Sequence, residues 1–415
     1  MTDREALMAA VCVAPADDLP RLVFADWLDE HGEAELAAFI RADIAAAGLP
    51  RYDAKRLRFE LIDKPKFEQT PALLSSLNPL PQGAVWLRPP LCRRGFPWAI
   101  EVNFAQSQAL PEHVPYEQTT AERLVARIGS GPVEGLLGSQ WKDHLTDFEI
   151  SGYPIPESAL MRVLETPFGS LQQFGVSNDA LVLPLTAAVV RSKFFDRLRG
   201  FSASGLPLGR RFAEAIAARG RSSLTRLSLI RTRLSADALG IIVNAPAMAN
   251  LEELWVGGDF QAAGALFQAV ASSTAAGRLR VFAASGNSLA VGGAEALAAT
   301  DRLIGLEELR LSACVVHAPE ARILAASPIL TKLRVLDLSR NPLGSEGAIA
   351  IARSPYLQNL RVLDLHYAQV GDAGFASILN SPLYDRLTYL DASNNTMTAN
   401  MRQKLEARFK DRISI

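Results

Sequence analysis

Cysteine is almost missing from these 415 residues, which hold only Cys12, Cys92 and Cys314. Their wide separation excludes a CxxC pair and the disulfide framework of a small secreted domain. Histidine is scarce as well. His31, His113, His144, His317 and His366 fall at no zinc-ligand spacing. The chain has no HExxH, no GxxxxGK[ST], no GxSxG, and no GxGxxG placed between a strand and a helix, so the common protease, phosphate-binding and hydrolase signatures are absent. These absences argue for no catalytic residues, no bound metal and no cofactor. No apolar run reaches the ~18 residues a membrane span requires. An excess of one charge is lacking too. The formal net charge is −1, which argues against a broad nucleic-acid-binding surface. The opening Met1-Thr2-Asp3-Arg4-Glu5 carries acids where a secretory signal needs net positive charge. The expectation is a soluble cytoplasmic protein that binds neither membrane nor nucleic acid.

What is present is repetition. Leu333 to Asn359 reads L-R-V-L-D-L-S-R-N-P-L-G-S-E-G-A-I-A-I-A-R-S-P-Y-L-Q-N and restarts as Leu360-Arg361-Val362-Leu363-Asp364-Leu365. Repeats begin at Leu145, Leu171, Leu198, Leu224, Leu251, Leu279, Leu306, Leu333, Leu360 and Leu387, about 27 residues apart. Each predicts a short strand, a turn and an Ala/Leu-rich helix such as Gly344–Ala352, with Ser-Pro closing several of them (Ser327-Pro328, Ser354-Pro355, Ser381-Pro382). Met401, Leu405 and Phe409 predict an amphipathic C-terminal cap helix. The LxxLxLxxN core at this period resembles the leucine-rich repeat, and the long repeat with a true helix resembles its ribonuclease-inhibitor-like class. That resemblance implies an α/β solenoid shaped as a horseshoe, with a parallel sheet on the concave face and helices on the convex face. A solenoid also explains the length, because each repeat packs only on its neighbours and the core grows in one dimension.

Residues 1–47 predict a small helical module. Thr2 and Glu5 form a capping box. Pro15 ends the first helix, and Pro20 opens a second that carries Leu22, Val23 and Trp27 and stops at His31-Gly32. Leu36, Phe39, Ile40 and Ile44 mark a third. Asp26, Asp29, Glu30, Glu33 and Glu35 are expected on a solvated face. Residues 18–41, D-L-P-R-L-V-F-A-D-W-L-D-E-H-G-E-A-E-L-A-A-F-I-R, resemble the repeat-companion N-terminal domain of planctomycete-type bacterial leucine-rich-repeat proteins. The resemblance implies a cytoplasmic helical cap fused to repeats and no established activity. Residues 48–95 read as a connector with a helix over 53–63, broken afterwards by Pro65, Pro71, Pro79, Pro81, Pro89 and Pro90. Ala99 to Phe104 predicts the first strand of the solenoid. Residues 96–144 read as degenerate capping repeats, with a helix over Leu124–Ile128 and a strand over Val133–Leu137. Residues 145–415 are the regular repeats. Trp27 is expected in the core of the module, and Trp86, Trp98 and Trp141 in the packing of the cap.

Within a repeat, residues 1, 4, 6 and 11 should point into the core. Residue 9 (Thr232, Asn287, Cys314, Asn341, Asn395) should bond to turn backbone, which makes Cys314 a buried ladder residue and not a nucleophile. Residues 3, 5 and 7 should face outward. Residue 5 runs Glu149, Gly175, Ser202, Ser228, Trp255, Ala283, Arg310, Asp337, Asp364, Asp391. Three stacked aspartates beside Arg310 repel one another at strand spacing. They suit a partner bearing Lys or Arg, or they are solvated repeat consensus. Trp255 is either an anchor for a partner or covered by a long neighbour. His366, near Asp364 and Ser339 or Ser393, only superficially resembles a catalytic set, since a flat sheet offers neither a strained nucleophile nor an oxyanion hole. The residues that point to function are Trp255, Arg310, Asp337, Asp364, His366, Tyr389 and Asp391. They fit a non-enzymatic scaffold for a protein with a basic patch, or alternatively an inhibitor or activator of a partner enzyme. Sequence leaves the oligomeric state open.

Overall fold

Helix α1 (Asp3–Val13) starts where the Thr2 side chain accepts the Glu5 N–H and the Glu5 carboxylate accepts the Thr2 N–H. With α2 (Leu19–Glu30) and α3 (Ala34–Ala47) it forms the N-terminal bundle around Val11, Phe24, Leu28, Phe39 and Ile40. The computed structural model describes residues 2–14, 16–68, 84–86, 92–93, 96–103, 120–127, 141–152, 155–177, 184–220, 222–258 and 264–415. The expectations at Pro15, at Pro71 to Pro81, at Pro89 and Pro90, at Phe104 and over Val133–Leu137 lie outside those residues. Trp27 is at the rim of the bundle core, stacked 3.9 Å from the His31 ring, and is only half buried. The acids expected to be free in water are paired in part. Asp26 and Asp29 both hold Arg41, and Glu33 holds Arg4.

Two units divide the chain, Met1–Ala180 and Leu181–Ile415. In the first, the helix expected to end at Asp63 continues. Ala54–Arg58 is α-helical, Phe59–Asp63 is a π turn, and Lys64–Glu68 is α-helical again. The wide turn, with Lys64 N–H on Phe59 O, takes the chain past Pro65, which has no N–H to offer. The strands of this unit are β1 (Ala84–Trp86), β2 (Cys92–Arg93), β3 (Phe96–Pro97), β4 (Ala99–Asn103), β5 (Arg123–Arg127), β6 (Asp147–Ser151) and β7 (Gln173–Ser177). β1 pairs antiparallel with β4, β2 with β3, and β4 to β7 run parallel. The helix expected over Leu124–Ile128 is therefore wrong: Leu124 to Arg127 belong to strand β5, and Ile128 lies outside the described residues. Local propensity is overridden by pairing on both sides, reinforced by cross-strand Arg123–Glu149 and Arg127–Glu101 ion pairs. Trp141 is buried, and Trp98 lies half buried beside Arg93.

The second unit holds β8 (Gly200–Ser204), β9 (Arg226–Ile230), β10 (Glu253–Gly257), β11 (Val281–Ala283), β12 (Glu308–Arg310), β13 (Val335–Asp337), β14 (Val362–Asp364), β15 (Tyr389–Asp391) and β16 (Ile413–Ser414). All pair parallel in sequence order, each crossover carrying a helix. Residues 1, 4 and 6 of each repeat fill the core, joined at residue 11 by Leu208, Leu234, Leu289, Val316, Leu343 and Val370, whereas Met397 of the last repeat is half buried. Leu360, Leu363, Leu365 and Val370 all have 0% exposure. Residue 9 ties the turns. Asn341 accepts the Cys314 and Val316 N–H groups and donates to Leu311, Leu338 and Ser339 carbonyls. A second ladder serves the helix ends. Thr300, Ser327 and Ser354 donate to the carbonyls of Ala271, Ala298 and Ala325, each in the preceding repeat. Helix Ala399–Phe409 buries Met401, Leu405 and Phe409, and β16 follows it onto β15.

Candidate interaction face

Strand register decides which side chains become neighbours. Trp255 pairs with Ser228 and Ala283, and Ala283 with Arg310. Arg310 pairs with Asp337, Asp337 with Asp364, and Asp364 with Asp391. The fifth residues thus form one continuous row at ~4.8 Å per step. His366 and Tyr389 flank its acidic end. All seven residues singled out from sequence are partly exposed.

One end of the row is satisfied from within. Arg310 reaches over the buried Ala283, and its Cζ lies 5.8 Å from the Trp255 ring centroid. That is a cation–π distance. Arg310 Nε and Nη2 also donate to Glu308 Oε2, at 3.2 and 3.0 Å. Glu308 is 3% exposed and sits in register between Val281 and Val335. Residue 3 was expected to face water throughout. In β11 to β14 it is instead buried, as Val281, Glu308, Val335 and Val362. Arg310 is thus turned toward a carboxylate on its own strand and an indole two strands away.

The other end is not satisfied in this way. Ser339 N–H donates to Asp337 Oδ1 at 2.9 Å, His366 N–H to Asp364 Oδ1 at 2.9 Å, and Ser393 N–H to Asp391 Oδ1 at 3.0 Å. Each aspartate closes the turn after its own strand, which accounts for Asp in this place. The hydrogen bonds to the three carboxylates all end on Oδ1, so among the described residues Oδ2 of each remains for another donor. Burial pushes the Asp364 carboxyl up to about 6. The His366 N–H opposes the shift, while Asp337 and Asp391 on either side add to it. Burial, then the Asp391 charge, also raise Tyr389.

His366 belongs to a chain with the wrong order for catalysis. Ser393 donates its hydroxyl proton to Asp391 Oδ1, so its oxygen is left to accept from His366 Nδ1 at 2.8 Å. The hydroxyl stands between imidazole and carboxylate, whereas an activated nucleophile needs the imidazole in the middle. Cys314 is fully buried, with its thiol pushed up to about 12 by desolvation. Among the described residues no cluster of three or more His, Cys, Asp or Glu is placed to hold a metal ion.

Two features escaped the sequence reading. Glu308 is one. The other is the eighth residue of each repeat, which is left-handed from Gly205 through Arg231, Gly258, Gly286, Ala313, Arg340, Tyr367 and Asn394. The glycines at three of these places were the available signal. Arg340 and Tyr367, at φ 56 and 54, hold bulky side chains in a conformation that costs about 1–2 kcal/mol without glycine. Each follows an aspartate of the row by three residues, Arg340 after Asp337 and Tyr367 after Asp364.

The leucine-rich-repeat family model matches residues 330–352 and 356–379. No curated protein matches the sequence. Among solved structures, a chain of the yeast Rad7–Elc1 complex is similar, with a TM-score of 0.53 at 15% identity, covering 91% of this chain and 92% of that one. An internalin of Listeria monocytogenes gives 0.40 at 15% identity, over 76% and 86% of the two chains. A Bacteroides fragilis protein gives 0.39 at 14% identity, over 62% and 69%. The last two scores are too low to bear on the fold. Among the described residues no helix is long and apolar enough to cross a membrane. The repeat match, the register and the Rad7–Elc1 likeness agree on the fold, a leucine-rich-repeat solenoid, and the N-terminal region is helical.

Proposed function

We propose that the chain is a non-enzymatic, cytoplasmic protein-interaction scaffold whose outward sheet face, from β10 to β15, holds a partner protein. A basic segment of the partner lies along Asp337, Asp364 and Asp391, with His366 and Tyr389 at its margin and Trp255 and Arg310 as a preformed aromatic–cation platform beside it. The observation that carries this reading is the in-register row of three carboxylates, each with Oδ2 unmatched by a donor among the described residues. Like charges at strand spacing are destabilising, and a row of lysines or arginines would offset them. The left-handed Arg340 and Tyr367 beside the row fit the same reading, since backbone strain clusters where function requires it. Rad7 is seen in complex with Elc1, and that pairing is consistent with a scaffold role for the fold.

The test is affinity capture from lysate of the source cell with two baits. One is the wild-type chain. The other carries Trp255→Ala, Asp337→Asn, Asp364→Asn and Asp391→Asn, with circular dichroism confirming that both are folded. A protein recovered by wild type alone is expected. Equal recovery by both baits would move the site to the N-terminal helices or to the helical side of the repeats.

A further inference from the structure

The outer face of α2 is built differently from every other helix face in the bundle. Leu19, Val23, Asp26 and Glu30, spaced by four, three and four, lie on one stripe and are all exposed. Leu19 is 65% and Val23 45% exposed, while the opposite face, Phe24, Ala25 and Leu28, fills the core. The stripe is apolar at its start and acidic at its end. The end also coincides with the negative pole of the helix dipole, and the last turn carries no basic residue. The surroundings share this sign. Residues 1–47 hold ten Asp and Glu against three Lys and Arg, whereas the chain as a whole is nearly neutral. Val13, at the end of α1, is a further exposed apolar side chain at 71%.

The geometry points to a second docking surface on α2, whose occupant is a cationic amphipathic helix of a partner protein. Leu19 and Val23 present two apolar contacts one turn apart. Asp26 and Glu30 continue the stripe for another two turns with carboxylates, and although Arg41 already pairs with Asp26 and Asp29, the group Asp26, Asp29, Glu30 and Arg41 keeps a net negative charge. A partner helix with a leucine stripe running into lysine or arginine at i, i+3 and i+4 matches both halves. Charge excludes an acidic partner, and the apolar pair distinguishes this surface from a merely solvated face. This site is independent of the sheet face, so a chain carrying both would join two proteins.

The experiment uses the full chain and two synthetic helical peptides labelled with a fluorophore, one with a leucine stripe flanked by lysine, the other identical but flanked by glutamate. Fluorescence anisotropy should show saturable binding of the lysine peptide alone, weakening as salt rises. The double substitution Leu19→Gln, Val23→Gln should weaken it roughly tenfold, the loss expected when two exposed apolar side chains no longer find cover. Both positions are exposed, so melting temperature should hold. Binding should survive Asp337→Asn, Asp364→Asn, Asp391→Asn, which separates this site from the sheet face. The proposal is overturned if wild type fails to bind the lysine peptide, if Leu19→Gln, Val23→Gln binds it equally, or if binding is lost only with the three Asn substitutions. It is also overturned if sedimentation shows wild type self-associating through Leu19 and Val23, because the occupant is then a second copy.

Discussion

The two ends of the outward row use the same repeat position for opposite purposes. At Trp255, Ala283 and Arg310 the side chains close on one another. The guanidinium covers the indole and binds the buried Glu308, and of the three left-handed turns that follow Trp255, Ala283 and Arg310 two carry Gly258 and Gly286 and the third the small Ala313. At Asp337, Asp364 and Asp391 nothing of the kind happens. Like charges stack, and the corresponding turns carry Arg340, Tyr367 and Asn394. Backbone geometry is common to both ends, so the contrast lies in the side chains. A repeat that could relax with glycine and a counter-ion, and does so three strands away, is under a different demand where it does not.

The largest effect that would break this comparison is at Arg310. Replacing it with Met removes the Arg310 contact of a carboxylate that lies between two valines. Loss of one partner of a buried pair costs about 3–5 kcal/mol. With 34% of the Arg310 side chain exposed, about 2 kcal/mol is expected in urea unfolding. Adding Glu308→Gln should restore most of it. A single variant as stable as wild type would mean that this end is no more self-satisfied than the other.

Asp364→Asn sharpens the comparison with the opposite sign. The folded carboxyl titrates near 6, above its ordinary value of 3.8. The native state therefore binds its proton more tightly than the unfolded chain does. Stability from this group is present below the unfolded pKa and is lost as pH rises through 6. Asn keeps the acceptor for the His366 N–H and never ionises. After discounting for solvent screening it should stabilise the fold by about 1 kcal/mol at pH 7. That gain should fade to nothing by pH ~4. Melting curves at several pH values would read this directly. A constant difference across that range would show that the carboxylate is not strained by its neighbours. The same substitution should weaken partner capture, so stability and binding move in opposite directions.

The smallest effect is at the turn. Tyr367→Gly relieves the left-handed conformation but adds unfolded-state entropy, for a net gain of about 0.5–1 kcal/mol. Gly286→Ala, at the same repeat position, should lose a comparable amount. If both substitutions are neutral in thermal unfolding, the turns of the two ends do not differ in strain.

Much of the architecture was legible beforehand because a solenoid repeats its reasons. The leucine period places Leu333, Leu336, Leu338 and Leu343 in the core and Asn341 in the ladder, where each packs against its own copy one repeat away. The register of Arg310, Asp337, Asp364 and Asp391 follows from the same count. Legibility failed where the period weakens. Leu124 to Ile128 reads locally as a helix, yet Leu124 to Arg127 lie in β5, since parallel neighbours on both sides outweigh propensity. Pro65 reads as a helix breaker and is carried through by a π turn.

Which residues share a face follows from strand alternation and a repeat of about 27 residues, which leave little freedom in where a side chain emerges. What each side chain does on that face depends on contacts that form only on folding. Whether Trp255 is open or covered depends on the reach of Arg310 across two strands, and that side chain lies 55 positions away in the chain. Whether Glu308 faces water or is buried depends on the valines flanking it in register. Contacts at such separations are set by side-chain length, rotamer and charge among residues that only folding brings together.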